Sequence, residues 1–195
     1  MKEFQADARA LREAFERYRD RHPGESETVD RFVELLEYGE PAFHRDHPGG
    51  HFTASALVLD RSARFVLLTH HRKLDIWIQL GGHADGQADL LTAALREAEE
   101  ESGVTSIEPV HAEIVDIDIH PIPAHGHEPP HEHYDVRYAF FADPGDRLVV
   151  SDESHDLAWV HIDDLDRYST ERSLRRAVEK AVAWVRHERA RSTRA

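Results

Sequence analysis

The stretch Gly81–Val104, GGHADGQADLLTAALREAEEESGV, constrains this chain more than any other. Its second half reads as one helix. Asp89 is placed to cap it, Leu91, Leu95 and Ala98 recur as an apolar stripe, and Gly103 is placed to end it. Glu97, Glu100 and Glu101 stand three and four residues apart and so share a second face. Three like charges there repel one another. Two readings follow: a solvated acidic helix face, or a divalent-metal site in which a hard cation turns the repulsion into coordination. Arg96 lies four residues before Glu100, at the spacing that holds a carboxylate in register. The loop before the helix, with Gly81, Gly82, Asp85 and Gly86, lets backbone come close to a ligand.

These residues resemble the Nudix box, G-x5-E-x7-R-E-U-x-E-E-x-G-U, in which U is a bulky aliphatic residue. Gly82 matches the opening glycine, Arg96 and Glu97 the R-E pair, Glu100 and Glu101 the E-E pair, and Gly103 and Val104 the close. Two positions depart. Ala88 stands where the box has a glutamate, and Ala98 where it has a larger aliphatic residue. The resemblance implies that Glu97, Glu100 and Glu101 hold Mg2+ or Mn2+, with the Gly81 carbonyl as a further oxygen. The missing glutamate usually braces the arginine or assists at the metal, and Asp89 and Asp85 are the candidates to compensate. The implied fold is α/β, the Nudix alpha/beta/alpha sandwich with a mixed sheet, carrying here an N-terminal helical extension. GGHADG together with the later HEHYDVR resembles a bacterial subgroup with a histidine-rich cleft.

Taken in order, residues 3–21 are expected to be helical, since Phe4, Ala8, Leu11, Phe15 and Tyr18 recur at helical spacing. His22-Pro23-Gly24 breaks that pattern, and Ser26 is expected to cap a second helix that runs to about Tyr38. Residues 1–45 are therefore assigned to a helical extension and residues 46–190 to the main domain. The hairpin is expected to pack on the core, where it walls the cleft or supports a homodimer. FTASALVLD and ARFVLLTHH read as paired strands across Asp60-Arg61-Ser62, and IWIQL leads into the glycine loop. No P-loop lysine follows that loop, and GGHADG lacks the dinucleotide-fingerprint spacing.

Beyond the helix the period changes to two. Asp116, Asp118 and His120 alternate with Val115, Ile117 and Ile119, and His131, His133, Asp135 and Arg137 alternate with Tyr134, Val136, Tyr138 and Phe140. The plain expectation is a sheet packed on one side and wet on the other. The sharper one places His83, His120, His131 and His133 in the cleft as phosphate or substrate contacts, joined by Lys73 and Arg137. His131, His133 and Asp135 also make a chemically acceptable metal-ligand set. The loop PIPAHGHEPP suits a pocket rim. Glu153, on a late acidic loop, is a further catalytic candidate through the resemblance, to bind metal or orient water. Leu157, Trp159 and Ile162 are expected to anchor the core, and Thr170 to cap a last helix packed through Leu174, Ala177, Val178, Ala181, Val182 and Val185.

Charge and composition narrow the function classes. The chain carries 38 acidic against 24 basic residues, a formal net charge of −14, which disfavours nonspecific binding to nucleic acid or to an anionic membrane. It has no cysteine, which excludes disulfides, thiolate metal sites and cysteine nucleophiles. The first twenty residues lack an unbroken apolar core, so neither a signal peptide nor a membrane span is expected, and a cytoplasmic location is. No G-x-S-x-G elbow is present. The expected activity, carried by the resemblance, is metal-assisted hydrolysis of a small-molecule phosphoanhydride, a nucleoside diphosphate linked to another group. Its competitors are a catalytically weak Nudix-fold binding or regulatory protein, suggested by Ala88, and an enzyme acting on a non-nucleotide diphosphate.

Overall fold

The computed structural model describes residues 2–124, 126 and 129–192. His125, His127 and Glu128, in the loop expected to form a pocket rim, lie outside the described residues. Helices α1 (Lys2–Arg21) and α2 (Ser26–Leu36) form the N-terminal hairpin. Eight strands follow as one mixed sheet: β1 (Gly50–Leu59), β2 (Phe65–His71), β3 (Ile76–Ile78), β4 (Leu80–His83), β5 (Glu108–Pro109), β6 (Asp116–Ile122), β7 (His131–Phe141) and β8 (Ser154–His161). Helix α3 (Leu90–Ser102) lies between β4 and β5, and the short α4 (Leu165–Tyr168) and long α5 (Arg172–Ser192) close the chain.

Strand β1 is buried along its whole length. It pairs in parallel with β7 from Gly50↔Glu132 to Leu59↔Phe141, and antiparallel with β4 from Thr53↔His83 to Ala56↔Leu80. Strand β6 continues the sheet beyond β7, while β2 joins β3 and β8 on the other side. Two cores result, one on each face. On one side α1, α2 and α3 pack over Phe52, Ala54, Ala56, Val136, Tyr138 and Phe140. On the other, Leu174, Ala177, Val178, Ala181, Val182 and Val185 of α5 pack over Leu57, Leu59 and Ala139, as the helical period of that segment anticipates. The sandwich is therefore α/β/α. Among the described residues no helix is long and apolar enough to cross a membrane.

The hairpin is continuous with the core. Phe15, Phe32 and Phe43 surround Phe52 of β1, with the Phe43 and Phe52 rings stacked at 4.6 Å. Ser26 is already the first helical residue, because Pro23–Glu25 forms a 3₁₀ turn, and its hydroxyl donates to the Pro23 carbonyl at 2.8 Å instead of capping. At the start of α5 it is Ser169 Oγ that accepts from a backbone N–H, that of Glu171, at 3.3 Å.

The alternation in β6 and β7 is present, but its polar face is not wet. Asp116, Asp135 and Arg137 are buried beneath α5. Arg137 donates through Nε to Asp135 at 2.7 Å and through Nη1 to Asp116 at 3.2 Å and the Ser173 carbonyl at 3.0 Å. Arg176 donates to Asp116 and Asp118, and Lys180 donates to Asp116, Glu25 and the Tyr18 hydroxyl. Three aspartates thus meet three cations from β7 and α5, and Lys180 carries the network into the hairpin. Arg137, expected to contact substrate, is occupied here, because an arginine this deeply buried is held by the carboxylates that offset its desolvation.

Removing one member of such a cluster leaves its partners charged and unpaired. Arg137→Gln is expected to lower the unfolding free energy by about 3–5 kcal/mol, measured by urea denaturation against wild type. A loss below about 1 kcal/mol would mean that the cluster is effectively solvated.

Candidate active site

Helix α3 begins and ends where the sequence puts it. Asp89 caps it, accepting from the Thr92 N–H at 3.2 Å and the Thr92 hydroxyl at 2.6 Å. Gly103 ends it in the left-handed region (φ 69°), its N–H on the Glu99 carbonyl at 2.8 Å. The buried face differs slightly from the expected stripe. Leu90, Ala93, Ala94 and Ala98 lie in the core, while Leu91 and Leu95 flank it half-buried. Alanines at the contact let the helix approach β1 and β4 closely. Ala98, smaller than the box residue, belongs to this close packing.

The glutamates reach the sheet through that approach. Glu101 is buried and accepts from the Gly81 N–H at 2.8 Å. Glu97 lies against Gly82, where an added Cβ would overlap its carboxylate. Gly81 sits at φ 151°, and a Cβ there would come within 2.6 Å of the Ala54 carbonyl oxygen. A side chain at Gly81 would meet backbone, and one at Gly82 would displace the Glu97 carboxylate. Arg96 donates to Glu97 Oε1 at 2.5 Å and to the His83 carbonyl at 3.1 Å, and lies 3.7 Å from Glu100. It thus ties α3 to β4. Glu100 itself is exposed at the rim, so the three glutamates divide into an inner pair and an outer one.

Electrostatics mark the inner pair. Burial pushes the Glu101 carboxyl up to about 7, with the neighbouring Glu97 and Glu153 charges adding and the Gly81 N–H opposing. Burial also raises Glu97, against Arg96. Glu153 is exposed on the loop before β8, and its charge is felt at Glu101. Its backbone carbonyl accepts from the Arg72 N–H at 2.8 Å, fixing that loop to the β2–β3 turn. Lys73 is exposed in the same turn, beside His71, whose pKa burial lowers. Half-buried Glu97 and buried Glu101 are both raised by burial, and an all-oxygen donor set of this kind suits a hard divalent cation such as Mg2+ or Mn2+.

The glycine loop is braced from the N-terminal side. Gly86 (φ 85°) donates its N–H to the Phe43 carbonyl at 2.9 Å and lies under the His44 ring, and Arg45 pairs with Asp85 at 2.9 Å. Against burial, that ion pair holds Asp85 below the ordinary carboxylate range. Asp85 is thus engaged by Arg45 and Asp89 by the helix cap. Ala88 is buried in the apolar core.

The histidines collect elsewhere on the sheet. His83 of β4, His120 of β6, His131 and His133 of β7 come together with His51 of β1, ring centroids 4.8–5.4 Å apart. His51 went unrecognised in the sequence because it reads as the end of a polar link. The signal was present: His51, Thr53 and Ser55 alternate at strand spacing onto one face. Asp135 does not join the rings as a ligand, since its carboxylate accepts from Thr53 at 3.1 Å, Ser55 at 2.8 Å and Arg137 at 2.7 Å.

A mixed sheet between helices, with helix glutamates set against a glycine strand, defines an α/β protein with a carboxylate cluster at the helix–strand contact. Residues 49–185 match the NUDIX domain model, and the chain belongs to that family. Solved structures agree on the fold. A C. elegans Ap4A hydrolase is 18% identical with a TM-score of 0.57, over 70% of this chain and 98% of its own. The E. coli dihydroneopterin triphosphate pyrophosphohydrolase is 16% identical with a TM-score of 0.56, over 68% of this chain and 94% of its own. A MutT protein from Methanosarcina mazei Go1 is 16% identical with a TM-score of 0.51, over 72% and 96%. No curated protein matches the chain by sequence.

The raised Glu101 fixes the sign of a pH dependence in the metal-free protein. Its folded pKa of about 7 lies above the unfolded value of 4.5. The unfolded chain thus ionises first, and stability is lost as pH rises from about 4.5 to about 7, by on the order of 3 kcal/mol. Glu101→Gln is expected to remove this loss and so raise Tm above pH 7 without metal. In wild type, Mg2+ is expected to raise Tm more at pH 8 than at pH 6, because protons compete for the same carboxylate. Thermal scans at both pH values check this; equal Mg2+ shifts would contradict it.

Proposed function

We propose that the chain is a metal-dependent pyrophosphohydrolase acting on a nucleoside diphosphate linked to another moiety, or a related nucleotide, with Mg2+ or Mn2+ as cofactor. The observation that carries this reading is the convergence of half-buried Glu97 on Gly82 and of buried Glu101 on Gly81, with the Glu153 charge adding at Glu101. Family membership supports phosphoanhydride hydrolysis as the general chemistry. Glu97 and Glu101 would hold the ion, with Glu100 and the Gly81 carbonyl as further oxygens. When bound, the ion supplies a lowered water pKa and offsets charge on phosphoryl oxygens.

The chain's own residues do the rest. Arg96 holds Glu97 in place and anchors α3 to the His83 carbonyl. Glu153 orients the attacking water and takes its proton. The water oxygen forms a bond to phosphorus, the P–O bond to the bridging oxygen breaks, and that oxygen leaves with the second phosphate. Lys73, exposed in the β2–β3 turn, contacts a substrate phosphate.

Ala88 favours a second reading, that of a catalytically weak ligand-binding or regulatory protein. The position that bears a glutamate in the box is buried among apolar side chains here. A nucleotide and diphosphate panel with Mg2+ and Mn2+ tested separately, and products resolved by mass, distinguishes the two. Metal-dependent cleavage is expected, lost to background in Glu101→Gln and reduced about 10–100-fold in Arg96→Met, which loosens Glu97 without removing it. Folded protein that binds metal but turns nothing over would favour the regulatory reading.

A further inference from the structure

Four strands deliver five imidazoles to one end of one sheet face, and three of them are close enough to share an ion. Ring nitrogens of His51, His131 and His133 lie within 4.8 Å of one another. The register explains the meeting: His51 is opposite His133 in the parallel β1–β7 pair, and His131 stands one pleat away on the same face. His131 Nε2 and His133 Nε2 are 3.3 Å apart. Two nitrogens bound tetrahedrally to zinc at ~2.0–2.1 Å would be separated by about 3.3–3.4 Å. The His131 Nδ1 lies 3.0 Å from the Pro129 carbonyl, which can only accept, so Nδ1 carries the proton and Nε2 presents a lone pair.

His51 is the decisive member. Its side chain is 1% exposed, and neither of its ring nitrogens has a hydrogen-bond partner among the described residues. A buried imidazole left with a donor and an acceptor unmet is destabilising. An ion bound at one nitrogen removes part of that cost.

We infer that His51, His131 and His133 form a second cation site, which takes one borderline first-row transition ion of the zinc class and is separate from the carboxylate site. The Nδ1–H of His131 leaves its Nε2 as a lone-pair donor, and both ring nitrogens of buried His51 are without partners among the described residues. That chemistry suits a metal better than a phosphate, which seeks cationic donors. Three imidazoles leave a fourth position, which a water completes in open zinc sites. His83 and His120 stand around the set, 5.1 Å from His51 and 5.4 Å from His133 by ring centroid.

The test is a visible-absorption titration of the chelator-treated full chain with Co2+, whose tetrahedral nitrogen complexes absorb far more strongly than octahedral oxygen ones. One equivalent of strong absorbance is expected, displaced by one equivalent of Zn2+. It is expected to persist in the Glu97→Gln/Glu101→Gln variant and to weaken in affinity at least ~100-fold in His133→Asn. Should His133→Asn fail to fold by circular dichroism, His131→Asn, at the half-exposed start of β7, carries the same expectation. No strong absorbance in wild type, its loss in the glutamate variant, or its survival in folded His131→Asn would each overturn the site. The glutamate variant keeps this outcome separate from that of the hydrolysis panel.

Discussion

The close approach of α3 to β4 is the constraint on which the rest of the structure depends. Gly81 and Gly82 leave no side chain between helix and strand, and Ala93, Ala94 and Ala98 let the helix axis come down onto the sheet. Only then does Glu101 reach the Gly81 N–H and Arg96 the His83 carbonyl. The same approach buries two carboxylates that would otherwise be hydrated. That burial raises both, which favours a proton or a cation at the pair. The N-terminal extension contributes from the opposite side: Phe43, His44 and Arg45 hold the loop at Gly86 and Asp85. The extension is thus part of how the glycine loop keeps its shape.

Under α5 the sheet solves a different electrostatic problem. Asp116, Asp118 and Asp135 are placed by strand alternation onto a face that a helix must cover. Arg137, Arg176 and Lys180 neutralise them, with Arg176 and Lys180 supplied by the covering helix itself. A buried network of this kind is weak evidence for net stability but strong evidence for register, since a one-residue slip of β6 would turn Asp116 to the apolar face. Lys180 also donates to Glu25 and Tyr18, so the position of α5 fixes that of the hairpin.

Legibility from sequence followed the range of the interaction. Asp89, Gly103 and the Arg96–Glu97–Glu100–Glu101 spacing are local, and helix geometry alone places them. The strands of period two were legible for the same reason. What surrounds them was not. Alternation told that Arg137 and Asp135 share a face, but not that α5 would cover it. For that reason Arg137 was read as a substrate contact. Ser26 looked like a cap because the 3₁₀ turn at Pro23 is decided by residues before it. His51 was missed because its partners are about eighty residues away, across a parallel pairing that no local pattern encodes.

The two proposed cation sites meet on β4, and their donor atoms distinguish them. Gly81 and Gly82 present backbone to carboxylate oxygens, while His83, the next residue, faces the imidazoles. Oxygen donors select hard ions that keep their waters; neutral imidazoles select borderline ions that give them up. An ion of the zinc class would also bind carboxylates, and the affinity order of first-row metals favours it over Mn2+ at almost any site. The proposed imidazole and carboxylate sets thus differ in the ion each prefers, and the strand that carries Gly81, Gly82 and His83 sets them side by side.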